Sequence, residues 1–285
     1  MSTKISDKDN ISENVDHAVV ADFGSEWQKF DQRAMSDEER EYYFDRYFSI
    51  FPWNELPKDS IGFDAGCGSG RWAILAAPRV GHIHCVDPSI AINVAQKTLQ
   101  GLSNCSFHQS TVSNMPFPDN SMDFGYSLGV LHHIPDTQQG IDDCVRKLKP
   151  GAPFLIYLYY AFDNQPFWFR WLWRLSDIVR RVVSNSPRFI KYVLTQLIAS
   201  VVYLPLARMA KVLSWVGVSV HSWPLSAYRD QSFYSMRTDA LDRFGTKLEH
   251  RYTKQQVLSM MKKSGLGNIE FSPLTPFWCA VGIKK

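Results

Sequence analysis

The sequence has few cysteines and little excess charge, and both shortages exclude classes of function. Its five cysteines are scattered along 285 residues, are odd in number and never form a C-x-x-C pair. This pattern argues against a structural zinc site and is typical of a reducing compartment, so we expect a cytoplasmic protein without a bound metal. A formal net charge of +3 is too small to indicate a nucleic-acid partner.

The sequence also lacks an evident signal peptide and an apolar run long enough to span a membrane. Residues 1–16 are polar, and we expect residues 1–22 to form a disordered tail. The nearly apolar stretch 192–206 is shorter than the ~20 residues needed to cross a bilayer. Because 45% of the residues are hydrophobic, the composition predicts one large globular domain, or one domain with a sizeable insertion.

A glycine-rich turn between a predicted strand and a predicted helix is the most informative stretch. The apolar run 61–63 reads as the end of a buried strand, Gly66, Gly68 and Gly70 follow it, and a helical pattern begins at Arg71. Glycines let the backbone turn tightly and approach a ligand closely, and a helix N-terminus offers free N–H groups. The order predicts the start of a nucleotide-binding βαβ unit, with an ordinary glycine-rich turn as the alternative.

An acidic residue lies at the end of the next predicted strand. Residues 81–86 alternate in polarity and lead to Asp87. A carboxylate there can accept both hydroxyl hydrogens of a ribose, whereas the structural alternative is a helix N-cap or a turn residue. The glycine spacing is G-x-G-x-G rather than the dinucleotide-binding G-x-G-x-x-G. We interpret Asp87 as a ribose-binding residue.

Residues 61–70 resemble motif I of the class I S-adenosylmethionine-dependent methyltransferases, in which an apolar pair precedes (Asp/Glu)-x-Gly-x-Gly-x-Gly. In that family the glycine loop wraps the methionine part of the cofactor. The acidic residue, which is Asp64 here, reaches the amino acid end of the cofactor directly or through water.

Three later stretches resemble the type-11 group of this family, which includes quinone-biosynthesis C-methyltransferases. Residues 115–123 are similar to its Leu-Pro-Phe-x-Asp-x-Ser-Phe-Asp passage, residues 131–133 to its Leu-His-His element, and residues 148–152 to its Leu-Lys-Pro-Gly-Gly. The group usually carries Gly-Asp-Ala where residues 110–112 are Ser-Thr-Val. That aspartate takes the adenine amino group, whereas Thr111 offers only a hydroxyl, which puts adenine recognition at this position in doubt.

The resemblance covers about residues 59–160 and, more weakly, 253–285. It implies a Rossmann-like, doubly wound α/β sheet of seven strands, mostly parallel with one antiparallel strand, and a ligand at the carboxyl ends of the strands. It also implies S-adenosylmethionine as the cofactor and S-adenosylhomocysteine as the product. The cofactor-binding candidates are Trp27, Asp64, Ala65, Gly66, Gly68, Gly70, Asp87, Pro88, Thr111, Val112, Ser127 and Leu128.

We therefore divide the chain into four parts. Residues 1–22 form the tail, and residues 23–160 hold the N-terminal helices and the cofactor-binding core. Residues 161–250 are a mostly helical insertion that caps the substrate, and residues 251–285 supply the last helix and the closing strands.

The insertion concentrates basic and aromatic residues. Between residues 165 and 220, eight basic residues face one acid, Asp177, which gives this segment a net charge of +7. Trp168, Trp171 and Leu175 begin a pattern of apolar residues at steps of three and four, which predicts an amphipathic helix. Three interpretations remain open: a cap with its own core, a peripheral membrane contact through residues 165–215, and a homodimer interface.

Histidines and arginines are the candidates for catalysis and for substrate contact. His132, His133 and His250 are candidate general bases, because an unperturbed imidazole titrates near pH ~6.5. We favour His250, in a polar segment, and keep His133 as the second catalytic candidate. Substrate contacts are predicted for His250 and for three residues of a loop over residues 228–246, namely Arg229, Tyr234 and Arg237. The arginines of this loop suggest a substrate with an anionic group.

The functional hypothesis is methyl transfer from S-adenosylmethionine to a small-molecule acceptor, on an oxygen of a metabolite or glycan precursor, by in-line displacement. One alternative is a membrane lipid or quinone acceptor reached through the Trp/Arg-rich helix. Another is a non-catalytic cofactor-binding protein whose insertion docks a partner.

Overall fold

A seven-stranded sheet carries the first of two compact units in the chain. The computed structural model describes residues 14–31, 35–220 and 223–285. The first unit consists of the described part of Met1–Gln32, with Arg40–Ala161 and Leu248–Lys285. Its strands are β1 (Ile61–Ala65), β2 (His82–Val86), β3 (Cys105–His108), β4 (Phe124–Leu128), β5 (Pro153–Tyr157), β6 (Leu266–Phe271) and β7 (Cys279–Lys284).

The strand order is β3-β2-β1-β4-β5-β7-β6. Strands β1 to β5 pair in parallel, and β7 runs antiparallel to both of its neighbours. The prediction of a doubly wound, mostly parallel sheet with one reversed strand is confirmed. The chain fills one half of the sheet with β1 to β3 and then crosses to β4. The carboxyl ends of β1 and β4 therefore flank the switch point where such sheets bind ligands.

The central strands are apolar because helices cover the sheet on both faces. All residues of β4 and β5 are buried, as are the last four residues of β1. Parallel strands buried on both sides lack the alternation of polar and apolar residues that marks a half-exposed strand. The β1–β4 register places Gly62 beside Phe124 and Phe63 beside Gly125. Each phenylalanine ring thus lies over the glycine of the neighbouring strand, where a Cβ atom would collide with it.

Six α-helices in the described part of the chain belong wholly or mainly to the first unit. They are α1 (His17–Lys29), α2 (Asp37–Tyr47), α3 (Ala73–Ala76), α4 (Ile92–Thr98), α5 (Thr137–Lys147) and, after the second unit, α10 (Lys254–Lys263). The Asp16 carboxylate caps α1 by accepting hydrogen bonds from the N–H groups of Ala18 and Val19. Helical structure therefore begins inside the segment that was predicted to be a disordered tail, of which residues 1–13 lie outside the described residues.

The second unit is helical and includes Phe162–Lys247. Its helices are α6 (Phe167–Ser184), α7 (Arg188–Ile198), a π-helical segment (Ala199–Tyr203), α8 (Leu204–Trp215) and α9 (Phe233–Gly245). Helix α9 packs against α6 and α7. Among the described residues of this unit, a core forms around Met236, Ala240 and Phe244 of α9 with Tyr203.

The predicted loop over residues 228–246 is wrong, because the structure places α9 there. Ser232 caps this helix by accepting a hydrogen bond from the N–H of Ser235. The buried stripe of Met236, Ala240 and Phe244 recurs every four residues, as one face of a helix requires. Charged residues between these positions conceal the stripe in the sequence.

The long helix Arg188–Trp215 joins α7, the π-helical segment and α8 without a break. By length and composition it is the single helix among the described residues that could cross a membrane, and 22% of its most apolar window is buried. The helix is much longer than the apolar stretch 192–206 seen in the sequence. Helical turns of mixed polarity extend the helix on both sides of that stretch. The full length of the helix is therefore not evident from the apolar run in the sequence.

The contact between Phe63 and Gly125 yields a stability prediction. Replacing Gly125 by Ala places a Cβ atom 2.4 Å from the Phe63 ring, in a core where the ring cannot move away. We expect Gly125→Ala to lower the free energy of unfolding by about 1–3 kcal/mol, measured by chemical denaturation. Gly267→Ala is the control, because its Cβ meets the flexible end of Lys285. Equal stability of the two variants would contradict the packing argument.

Candidate functional site

The glycine-rich turn adopts a backbone that only glycine tolerates well. Gly66, Gly68 and Gly70 have φ angles of +81°, +52° and +78°, in the left-handed region that side chains with a Cβ disfavour. A Cβ on Gly66 would also lie 2.4 Å from the side chain of Val130, which follows β4. The N–H of Gly66 donates to the carbonyl of Val86 at the end of β2. The turn is thus held between the carboxyl ends of β2 and β4.

Asp64 brings a buried carboxyl group to the base of this turn. Its side chain is 1% exposed, and its Oδ2 atom has no hydrogen-bond partner among the described residues. Burial raises the pKa of Asp64 to about 8; the Tyr126 hydroxyl opposes this rise and the Asp87 carboxylate adds to it. An unpaired buried carboxyl is costly to maintain unless a ligand pairs with it. A ligand ammonium group, such as that of the methionine part of S-adenosylmethionine, fits this atom.

Asp87 fixes the turn from the other side. Its Oδ2 accepts a hydrogen bond from the N–H of Gly68 at 2.9 Å. Its Oδ1 accepts from the N–H of Ser89 at 2.9 Å and from the Ser89 hydroxyl at 2.6 Å, so Asp87 also serves the turn role that was the structural alternative. An oxygen accepts more than one hydrogen bond, and Oδ2 retains capacity for a ribose hydroxyl. Burial raises the pKa of Asp87.

The remaining cofactor candidates lie around the same strand ends. The Ser127 hydroxyl, in β4, donates to the carbonyl of Ala65, the last residue of β1. The segment after β3 reaches Asp87 through the Ser110 N–H, which donates to the Asp87 carbonyl. The Thr111 hydroxyl is buried and has no partner among the described residues. Pro88 follows Asp87, and Val112 and Leu128 are buried.

Helix α1 crosses this edge of the sheet. A Cβ on Gly68 would lie 3.0 Å from the Trp27 indole, which places Trp27 over the glycine turn. Gly24 lies one turn earlier, and a Cβ there would lie 2.9 Å from the side chain of Ile90. The ring of Phe23 lies 5.0 Å from that of His133. One helix therefore covers both the glycine turn and the segment that follows β4.

Three histidines meet beyond the ends of β4 and β5. His132 and His133 occupy a short 3₁₀ turn, Leu131–His133, and their ring centroids are 4.0 Å apart. The His132 ring stacks on Tyr159 at 3.9 Å. Neither ring nitrogen of His132 has a hydrogen-bond partner in the described part of the chain. Burial lowers the pKa of His132 well below its ordinary value, so this imidazole is neutral.

His133 is held in one tautomer. Its Nδ1–H donates to the carbonyl of Leu248 at 2.7 Å, which leaves Nε2 as the acceptor nitrogen. Burial lowers the pKa of His133 to about 4. The ring is therefore neutral across the physiological range and is a weaker base than a free imidazole.

His250 comes to the same place through backbone pairing. Its N–H donates to the carbonyl of His132 at 2.9 Å, and the Tyr252 N–H donates to the carbonyl of Tyr159 at 2.8 Å. The Nε2 atom of His250 is buried, with no partner among the residues described. The neighbouring residues pair with each other, since Arg251 Nε contacts Glu249 Oε1 at 2.6 Å. No grouping of histidine, cysteine and acidic side chains in the described ranges is suited to hold a metal ion.

The structure thus brings the predicted catalytic residues His133 and His250 together and adds three neighbours that were not predicted as site residues. Tyr159 stacks on His132, and the Glu249–Arg251 pair flanks His250. The aromatic run at the end of β5 is the sequence signal for Tyr159. No local pattern links residues 249–251 to this strand, because their pairing joins segments that are distant in the sequence.

The other predicted substrate residues belong to the second unit. The Arg229 guanidinium is half-exposed and forms an ion pair with Asp230 at 3.3 Å. Tyr234 lies in the first turn of α9 and is half-buried. The Arg237 guanidinium donates to the Gln196 side chain and to the Tyr192 hydroxyl. Arg237 therefore ties α9 to α7 within the second unit.

Comparisons with known proteins match the segment that builds this edge of the sheet. A family model described as a methyltransferase domain matches residues 63–156. An uncharacterized methyltransferase, YcgJ, of Bacillus subtilis (strain 168) is 32% identical over 34% of this chain and 40% of its own length. A demethylmenaquinone methyltransferase of Bacillus licheniformis is 29% identical over 34% of this chain and 44% of its own.

A third relative, a 2-phytyl-1,4-naphtoquinone methyltransferase of Nostoc sp., is 30% identical over 45% of this chain and 58% of its own length. The chain thus spans less than half the length of the first two relatives and 58% of the length of the third. The match of the family model, residues 63–156, lies within the first unit.

Asp64 yields a prediction about protons. Because its pKa is about 8 in the ligand-free protein, the carboxyl is mostly protonated at about pH 7, and a cationic ammonium group favours the ionised form. Binding of S-adenosylmethionine should release close to one proton, and the affinity should rise with pH toward about 8. Calorimetry in buffers of different ionisation enthalpy measures this release. In Asp64→Asn the release should disappear; an unchanged release would refute the assignment.

Asp87 yields a prediction about affinity. Asp87→Ala removes the acceptor of the Gly68 N–H and a charged partner of the ribose, interactions worth roughly 1.5–3 kcal/mol each. We expect the dissociation constant for S-adenosylmethionine to rise at least about tenfold in calorimetric titrations. Asp45→Ala, an exposed position of α2, is the control and should bind as the wild type does. Equal affinities in the two variants would show that Asp87 does not contribute to the site.

Proposed function

Residues 63–156 form a methyltransferase domain of the type-11 group of class I S-adenosylmethionine-dependent methyltransferases, and on this premise we propose that the protein methylates an oxygen of a small-molecule acceptor. The observation that carries the proposal is the buried, unpaired Oδ2 of Asp64 beside a turn of three left-handed glycines. This arrangement suits a ligand that joins an amino acid end to a nucleoside. S-adenosylmethionine has this composition, and when bound it supplies a methyl group activated by a sulfonium.

In this reaction the residues of the chain bind the donor, exclude water and accept a proton. The glycine turn, Asp64 and Asp87 bind the donor and fix its direction. Helix α1 covers the edge with Trp27 and Phe23 and excludes water. Positioning of this kind contributes up to roughly 7–11 kcal/mol to lowering a barrier. The alignment of acceptor and methyl group is therefore the main contribution that we assign to the protein.

We assign the role of general base to His250. A hydroxyl nucleophile loses its proton during the transfer, and a positioned base accelerates that step by about 10²–10⁴-fold. The buried Nε2 of His250 is available to accept this proton. His133 is the weaker candidate, because burial lowers its pKa to about 4. In our proposal His133 orients the segment around His250 through its hydrogen bond to Leu248.

The place of the reaction and the acceptor contacts are part of the same proposal. All five cysteines are free, which supports a cytoplasmic location. The acceptor of this proposal is a metabolite or glycan precursor, and the substrate contacts predicted for Arg229, Tyr234 and Arg237 stay predictions. Metabolites and sugars of this kind offer the hydroxyl group that the proposed base requires.

The test of this function is turnover by the full chain. S-adenosylmethionine is incubated with panels of hydroxylated metabolites and nucleotide-activated sugars, and formation of S-adenosylhomocysteine and of the methylated product is followed by mass spectrometry. Methylation at oxygen is the expected result. Methylation at carbon or nitrogen would overturn the choice of acceptor atom. Tight cofactor binding without turnover on any acceptor would favour a non-catalytic, partner-docking protein.

His250 yields a kinetic prediction. His250→Ala should lower kcat by about 10²–10⁴-fold and leave the affinity for S-adenosylmethionine unchanged, because His250 is not placed in the donor site. His17→Ala, an exposed position at the start of α1, is the matched control. A wild-type kcat in His250→Ala would exclude a base at this position.

A further inference from the structure

The second unit exposes an unusual amount of apolar surface. Of the 23 large hydrophobic side chains that are exposed among the described residues, 19 lie between residues 167 and 218. We propose that this unit docks on the surface of an anionic lipid bilayer through two helical faces, one on α6 and one on the helix Arg188–Trp215, together called the apolar platform. A soluble monomer rarely leaves such a surface uncovered.

The face on α6 is continuous. Trp171, Leu175, Ile178 and Val182 are 59–65% exposed and recur at steps of four, three and four, as one side of a helix requires. The other side of α6 carries the buried Val183 and packs on α9. The exposed side is therefore the apolar one, which is the reverse of an ordinary surface helix.

The face on Arg188–Trp215 follows the same rule over a longer distance. Val193, Leu197 and Val201 are 39–69% exposed at steps of four, and Met209 and Val212 continue the face beyond the π-helical segment at 51% and 56%. The opposite side, which includes the buried Ala199, Tyr203 and Ala207, belongs to the core around α9. Both exposed faces thus lie away from the sides that pack in this core.

Charge identifies the occupant of the apolar platform. Arg170, Arg174 and Arg181 are exposed and line one edge of the α6 face, since they are offset from the apolar row by roughly a quarter turn. The one acid of this segment, Asp177, forms ion pairs with Arg180 and Arg181. Arginines beside apolar and tryptophan side chains match anionic head groups above acyl chains. A two-fold dimer through the same face would bring together rows of arginines without acids to balance them.

The buried side of Arg188–Trp215 indicates contact with the surface rather than passage through the bilayer. Lys191 and Thr195 are buried on that side, and the Arg208 guanidinium donates to the carbonyls of Arg229 and Gln231. A spanning helix would carry these groups and the backbone that they bind into hydrocarbon, where polar groups are costly. A helix that lies in the interface immerses only its apolar face. This inference does not depend on the proposed acceptor or on catalysis.

The experiment is flotation of the full chain with vesicles. We expect co-flotation with phosphatidylcholine vesicles that contain phosphatidylglycerol, and weaker co-flotation with pure phosphatidylcholine or at high salt. Leu175→Glu should lower the partition constant about tenfold or more. The double variant Arg170→Gln/Arg174→Gln should lower it about fivefold for each arginine on anionic vesicles alone. Leu274→Glu makes the same change as Leu175→Glu on the first unit, at a side chain 40% exposed, and should float as the wild type does.

Other outcomes would overturn the docking proposal. These are no flotation of the wild type, equal loss in Leu175→Glu and Leu274→Glu, resistance of the bound protein to alkaline carbonate, which marks a spanning segment, and a dimer that Leu175→Glu dissociates. Calorimetry with S-adenosylmethionine on each variant keeps this result separate from the proposed function. Both glutamate variants should bind the cofactor normally, because neither position lies in the donor site.

Discussion

The close approach of β1 and β4 is the constraint on which the site depends. It is possible because glycine faces an aromatic ring in both directions across the pair, Gly62 under Phe124 and Gly125 under Phe63. The same approach continues past the strand ends, where Gly66 leaves space for Val130. The donor turn and the histidine-bearing turn therefore lie side by side. A Cβ atom at any of these glycines would separate the elements that the site requires.

The first unit also contains buried polar atoms without hydrogen-bond partners among the described residues. Asp64 and His132 each place polar atoms in the interior without hydrogen-bond partners among the described residues. Such atoms cost stability, and in both cases the charged form is disfavoured, since burial raises the pKa of Asp64 to about 8 and lowers that of His132. The region is thus preorganised for ligands that bring their own charge and hydrogen-bond donors, as a low-dielectric site requires.

The two units distribute their apolar residues differently. The first unit buries them on both faces of a sheet, so that few large ones remain exposed. The second unit uses α9 to organise a small core and leaves the outer faces of its helices apolar. This distribution fits our proposal that the outer helix faces become buried against a lipid bilayer. The basic residues in the same segment favour contact with a negatively charged surface.

The sequence by itself determined the fold class, the donor turn and the acidic residues beside it. These features depend on local spacing: glycines at alternate positions, an acid at each of two strand ends, and apolar runs for buried strands. Only the tertiary structure decided that residues 233–245 are helical, that Trp27 lies over Gly68, and that His250 meets His132 beside Tyr159. The physical reason is that these features join segments far apart in the chain. Their energies arise from packing and backbone pairing, which local patterns do not encode.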